Sequence, residues 1–238
     1  MKKKQLYGTL ACAGLLLGAA NQASAATLLV DFHGNDNGGL VGGGGGFDAT
    51  STSADFAVAD SAVDLTATVN FVNADAPVSG LAVTGTDGLN ATVTLDVGTG
   101  FSQSDTGPRA GVAILDGYAV QNGNTNLEIT VGGLSSIALG SEVLLTLYAL
   151  GDQDNQSGSV TIDLGDGAVL AGTSSVDSPI VTFEFTRTAD IEDFQIVVDA
   201  TGPFSALNGF SITTSVPEPS SVALLGLGFV GFALRRRR

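Results

Sequence analysis

An all-β fold, an antiparallel β-sandwich of jelly-roll-like form, is predicted by three features of this 238-residue chain. Apolar and polar residues alternate with a period of two at six places between residues 67 and 198. Clusters of Gly, Asp and Asn separate these runs, and no segment between the two ends carries a helical stripe. Successive side chains of a strand point to opposite faces. Each alternating run therefore buries one face and wets the other, as half-buried antiparallel strands require.

At the N-terminus, Lys2, Lys3 and Lys4 form a positive region, residues 10–20 an apolar core, and Ala23-Ser24-Ala25 a small-x-small cleavage site. Residues 1–25 therefore read as a signal peptide, with the mature chain beginning near Ala26. A lipoprotein reading through Cys12 is disfavoured, because few apolar residues precede it and Thr9 is a poor match three positions before it. Cys12 is the only cysteine, so the mature chain is expected to hold no disulfide, no cysteine metal site and no thiol nucleophile.

Residues 26–215 suffice for one domain with a sizeable core. Ala67, Val69 and Phe71 alternate with Thr68 and Asn70, and Val93, Leu95 and Val97 with Thr94 and Asp96. Leu127, Ile129 and Val131 flank Glu128 and Thr130; Val160, Ile162 and Leu164 flank Thr161 and Asp163. Val181, Phe183 and Phe185 flank Thr182 and Glu184, and Phe194, Ile196 and Val198 bracket Gln195 and Val197. Residues 144–150 are more continuously apolar, as suits a central strand. Turns are expected at Thr86-Asp87-Gly88, Gln121-Asn122-Gly123-Asn124, Gly151-Asp152-Gln153-Asp154-Asn155 and Gly165-Asp166-Gly167. About ten to twelve short strands joined this way indicate a sandwich; a β-helix, the alternative, should repeat near 20 residues, and no regular repeat is present.

Candidate chemistry in the body is sparse. Residues 42–46 are glycines with no following Lys to hold a phosphate, which excludes a nucleotide loop. Gly43 to Asp48 resembles one turn of a calcium-binding nonapeptide repeat. It occurs once, and Thr50 stands where a large apolar residue would stack the next turn, so a flexible linker is the better reading. Asp152, Asp154 and Asn155 gather oxygens in one loop; Asp152 and Asp154 are the candidate calcium ligands, and an Asp-rich turn is the plainer reading. Gly158 comes one residue late for an EF-hand.

His33, the only histidine, lies near Asp31 and Asp36, yet a lone histidine at a strand end is most simply a turn residue. No Gly-x-Ser-x-Gly presents a serine nucleophile. Glu128, Glu142, Glu184 and Glu192 are the only glutamates of the body, and nothing marks two of them as a hydrolytic pair. No catalytic residue is assigned and no cofactor is expected beyond calcium. Sugar rings stack on aromatic platforms, but the chain has no Trp and the body only Tyr118 and Tyr148. Phe183, Phe185 and Phe194 sit at core parity. Asn90-Ala91-Thr92 and Asn155-Gln156-Ser157 fit a glycosylation pattern that is common by chance.

Charge divides the chain sharply. Three of its nine Lys and Arg lie in the leader and four at the C-terminus, leaving Arg109 and Arg187 in the body. Of 24 Asp and Glu only Glu218 lies outside the body, so two cations face 23 carboxylates, a net charge of −21. Nucleic acid is excluded as a partner, since phosphate neutralisation needs Lys and Arg. Adsorption to anionic lipid is disfavoured for the same reason, whereas solubility and uptake of cations such as calcium are favoured.

The C-terminal segment reads Val216-Pro217-Glu218-Pro219-Ser220, then an apolar run over residues 222–234, then Arg235, Arg236, Arg237 and Arg238. As a helix this uncharged run spans about 20 Å, short of a roughly 30 Å hydrocarbon layer unless the flanking serines extend it and the arginines snorkel. The four arginines resist translocation and hold this end in the cytoplasm. Pro217 and Pro219 block helix extension and leave Glu218 on an extended segment. The residues alone fit a processing signal and a plain membrane anchor equally well.

Pro217-Glu218-Pro219, the Gly/Leu-rich helix and the arginine cluster together resemble the PEP-CTERM sorting signal of bacterial exported proteins. The resemblance covers about a tenth of the chain. It implies recognition of Pro217, Glu218 and Pro219 by an exosortase, a membrane protease-transpeptidase that removes the tail and passes the protein to the cell surface or extracellular matrix. The residues of 115–118, 147–152 and 206–212 also resemble, diffusely, the jelly-roll bodies common among PEP-CTERM proteins, some of which are similar to carbohydrate-binding sandwiches.

Three regions are therefore expected: a signal peptide at 1–25, a β-sandwich domain at 26–215 and a sorting signal at 216–238. The leading expectation is an exported, non-catalytic surface or matrix protein that inserts transiently in the membrane and meets an exosortase and, at the surface, extracellular polysaccharide. The alternatives are a calcium-assisted carbohydrate-binding module and, behind it, an exported glycan hydrolase.

Overall fold

A computed structural model describes residues 25–33, 51–57, 62–74, 77–96, 100–102, 114, 117–122, 125–148, 158–175, 178–199 and 204–215. They belong to one compact unit, Ala25–Ser215. The described residues form β1 (Ala26–His33), a short helix α1 (Ser53–Ala57), β2 (Val69–Asn73), β3 (Val78–Thr84) and β4 (Asn90–Leu95). There follow β5 (Gly100–Ser102), β6 (Gly117–Asn122), β7 (Leu127–Gly132), β8 (Glu142–Tyr148) and β9 (Ser159–Asp163). The last strands are β10 (Val169–Thr173), β11 (Ile180–Thr186), β12 (Phe194–Val198), β13 (Phe204–Leu207) and β14 (Gly209–Ser215).

The strands make a five-stranded sheet in the order β11-β8-β14-β1-β2 and a six-stranded sheet in the order β10-β9-β12-β7-β4-β3, beside a small sheet β13-β6-β5. One core joins the two larger sheets. Leu28, Val30, Phe32, Leu145, Leu147, Phe210 and Ile212 of the first pack with Val93, Leu95, Leu127, Ile129, Ile162 and Ile196 of the second. Each such side chain, fully removed from water, contributes roughly 1.5–3 kcal/mol before the entropy of ordering it is charged. The all-β expectation and the paired-sheet sandwich hold. The strictly antiparallel arrangement does not, because β1 and β2 run parallel. A parallel neighbour needs a crossover of a dozen or more residues, and residues 34–68 supply one.

Alternation locates the core correctly in β7, β9, β11 and β12, whose apolar residues at the expected parity are all buried. Residues 144–148 of the expected apolar run lie in a central strand, since β8 sits between β11 and β14. In β2 the expected parity is reversed. Val72 enters the main core, while Ala67 and Val69 pack in a separate, smaller cluster and Phe71 is 37% exposed. The expected turn at Gln121 and Asn122 is instead the end of β6, paired with Ser205 and Phe204.

The reversal gives Asn70 an unforeseen role. Its Oδ1 accepts from the Thr84 N–H at 3.0 Å, while its Nδ2 donates to the Thr84 carbonyl at 2.9 Å and to the Leu29 carbonyl at 2.9 Å. One amide thus caps the open edge of β3 and ties it to the other sheet, satisfying main-chain groups that an edge strand leaves unpaired. Asn70→Ala is expected to lower unfolding free energy by about 1–3 kcal/mol, read as a reduced urea midpoint at constant m-value.

Candidate functional site

The outer face of the five-stranded sheet, away from the main core, is built from Thr27, Leu29 and Asp31 of β1, Ser211 and Thr213 of β14, and Thr146 and Tyr148 of β8, which align across the ladder. Such a mixed face would ordinarily be wet. Here residues 51–57 and 62–67 cover it: Phe56, Val63 and Ala67 join Leu29 and Tyr148 in a second buried cluster. The Phe56 and Tyr148 rings meet edge-on at 5.0 Å, and the Tyr148 hydroxyl donates to the Phe56 carbonyl at 2.8 Å. The α1 helix starts at a one-sided cap, with the Asp55 carboxylate accepting from the Thr52 N–H at 2.6 Å and from its hydroxyl at 2.8 Å. Asp31 is buried and accepts from the Ser51 hydroxyl.

At one end of this sheet lie the two positions where the terminal segments join the body. Ala26, the first residue of β1, pairs with Thr214 near the end of β14. Both are buried, whereas Ala25 and Ser215 just beyond them are exposed. Several elements hold the seam. The Thr27 N–H donates to the Thr86 hydroxyl at 2.9 Å, and the Thr27 hydroxyl accepts from the Asp64 N–H at 3.2 Å. Gly85 lies against the Thr27 carbonyl, where a Cβ would collide with main chain. On the other side of β14, Ser215 pairs with Glu142 of β8.

The candidate residues fall in different places. Ala25 is exposed directly before β1. Ala23, Pro217, Glu218, Pro219, Arg235, Arg236, Arg237, Arg238, Asp152 and Asp154 lie outside the described residues, as do residues 1–24 of the expected signal peptide and the expected membrane helix. Among the described residues no helix is long and apolar enough to cross a membrane, and no group of three acidic, His or Cys side chains gathers as a metal site. His33 ends β1, its backbone paired with Asn73. Glu128, Glu142, Glu184 and Glu192 are all exposed. Glu128 accepts from Gln195 at 3.1 Å, and Glu142 from the Thr186 hydroxyl at 3.1 Å. Tyr148, a candidate sugar platform, is 1% exposed and serves the second core instead.

Residues 215–238 match the PEP-CTERM protein-sorting motif, so the chain carries that sorting signal at its C-terminal end. The match begins on the last residue of β14. No curated protein matches the chain. Among solved structures it is similar to protein YXIM from Bacillus subtilis, at 11% identity and a TM-score of 0.41, over 81% of this chain and 41% of that one. The chain thus spans well under half the length of that protein. It is also similar to the family 32 CBM from C. perfringens NanJ in complex with galactose, at 14% identity and a TM-score of 0.31, over 52% of this chain and 93% of that one. A third is CpGH89CBM32-5 from Clostridium perfringens, in complex with GalNAc-beta-1,3-galactose, at 14% identity and a TM-score of 0.29, over 51% of this chain and 92% of that one. Likenesses this distant carry no argument about a ligand.

Asp64, whose N–H holds Thr27, has a titrating carboxylate of its own. It accepts from the Thr66 N–H and hydroxyl, each at 2.8 Å, and these bonds keep it below its ordinary value of 3.8. A lowered folded value contributes stability above the ordinary value and loses it as pH falls through the lowered one. In urea titrations across acid pH, the stability gap between wild type and Asp64→Asn should therefore be widest near neutrality and close progressively below pH 3.8.

Proposed function

We propose that this protein is an exported, non-catalytic component of the cell surface or extracellular matrix, with a jelly-roll-like body delivered through its C-terminal signal. The match of residues 215–238 to the sorting motif carries the reading. A membrane exosortase recognises Pro217, Glu218 and Pro219 while residues 222–234 sit transiently in the bilayer and Arg235, Arg236, Arg237 and Arg238 stay on the cytoplasmic side. Cutting then frees the body, ending near β14, for the surface and its polysaccharide.

Three observations support the division of labour. Seven of the nine basic residues lie in the two terminal segments, where membrane handling needs them. The body, at −21, is suited to solubility outside the cell and to cation uptake rather than to adsorption on anionic lipid. Its four glutamates project into solvent from separate elements, two of them hydrogen-bonded to neighbouring side chains.

Mass spectrometry of the protein recovered from an exosortase-bearing host is expected to show a mature chain lacking residues 1–25 and the arginine cluster. Glu218→Ala should leave the full-length tail in place and the protein in the membrane fraction. An intact tail on the surface-delivered wild-type protein would overturn the reading.

A further inference from the structure

The geometry points to a binding site for a small monovalent inorganic anion, of halide size, at one end of the sandwich, held by Nη1 of Arg187 and Oγ of Ser141.

The end of the β8–β11 ladder delivers both side chains to one spot. Thr186 pairs with Glu142, and the next step sets Arg187 opposite Ser141, whose carbonyl accepts from the Arg187 N–H at 2.9 Å. The Arg187 carbonyl accepts in turn from the Gly140 N–H at 2.8 Å, and Gly140 has a φ of 85°. Gly140 and Ser141 thus face one residue, a glycine-led bulge of the kind that re-aims a side chain. Residues directly opposite across a ladder share a face, with Cβ atoms about 5 Å apart. Alternation turns that face inward: Val143 and Phe185, two positions along, belong to the main core, while the intervening Glu142 and Thr186 are exposed.

Arg187 is 5% exposed and Ser141 is fully buried. Neither Arg187 Nη1 nor Ser141 Oγ has a hydrogen-bond partner among the described residues. Arg187 Nε donates to the Leu134 carbonyl at 3.4 Å, a length that marks the bond as weak. The carboxylates nearest along the chain, Glu142, Asp190, Glu192 and Asp193, are all exposed. Leu134, Ile137 and Ile191 of the flanking turns are buried in the main core and bring apolar side chains to the same end.

A guanidinium stays charged when it leaves water, and a buried charge without a counter-charge is strongly destabilising. Water would satisfy the two donors and leave the charge; an anion answers both. Nη1 and Oγ are wholly removed from solvent, which limits the ligand to about the size of a water molecule. A body carrying −21 repels multivalent anions, so a single charge is favoured. A halide, spherical and monovalent, accepts from both donors at once.

Thermal unfolding of the full-length chain in a non-ionic detergent, followed by circular dichroism, tests this. Sodium is fixed at about 0.2 M while chloride replaces gluconate, so that screening of the acidic body stays constant. Chloride at about ten times its dissociation constant should raise the midpoint by roughly 3–6 °C. Arg187→Gln should abolish the dependence. Ser141→Ala, which removes one donor to the anion, should need roughly tenfold more chloride for the same shift. Where Arg187→Gln does not fold, Ser141→Ala carries the comparison. Crystals of the wild type grown in bromide should show an anomalous peak within hydrogen-bond reach of Arg187 Nη1 and Ser141 Oγ. A chloride-independent wild type, an equal response in wild type and Ser141→Ala, or water at that position in bromide-grown crystals would overturn the inference. None of these outcomes bears on the sorting reading.

Discussion

The insertion of β14 between β8 and β1 is the constraint on which the rest of the body depends. It is the one strand the chain makes last and the sheet places in its middle. Of its seven residues only Ser215 is exposed, so it is buried on both faces as well as paired on both edges. On the inner face Phe210 and Ile212 complete the main core, with Phe210 meeting Phe32 of β1 at 6.1 Å. Gly209 is required where the strand begins, because a Cβ there would overlap the Val30 carbonyl. Removing this strand would leave β1 and β8 as two open edges facing a gap, and most of the stabilising area of the sheet would go with it.

Burial of the outer face follows from the same placement. Ser211 and Thr213 look outward at positions that would suit solvent, yet residues 51–57 and 62–67 lie over the sheet and both side chains are buried. Neither hydroxyl has a hydrogen-bond partner among the described residues, a cost of order 1–3 kcal/mol for each. That cost is outweighed locally by the dry contact of Phe56, Val63 and Leu29 and by the Tyr148 bond to the Phe56 carbonyl. The cover segment also supplies Asp64, whose N–H donates to the Thr27 hydroxyl near the start of β1. Sheet, cover and strand ends are thus one mechanical unit.

Electrostatics separates the body from its address labels. The whole chain carries −15, whereas residues 26–215 alone carry −21. The basic residues outside residues 26–215 thus mask part of the acidity of that body, whose own charge favours mutual repulsion between copies. Arg187 is the only basic side chain among the described residues, and it is buried, with its Nε donating to the Leu134 carbonyl at 3.4 Å. The described surface therefore presents carboxylates with no fixed cation beside them.

Periodicity alone determined the all-β class and the core-facing residues of β7, β9, β11 and β12, because alternation is a property of single strands and survives without knowledge of neighbours. The sorting signal was equally legible, since a motif, an apolar run and a basic end act in order along the chain and need no fold to be recognised. The short helix α1 was not legible, because five residues are too few to show a stripe. Only the tertiary structure decided the parallel pairing of β1 with β2, the reversed parity of β2, the bridging amide of Asn70 and the burial of Ser211 and Thr213. Each depends on what lies across a sheet or above it, and a residue's own sequence neighbours carry no information about that. The adjacency of Ala26 and Thr214 belongs to this second group, because only long-range pairing brings the two ends of the body together.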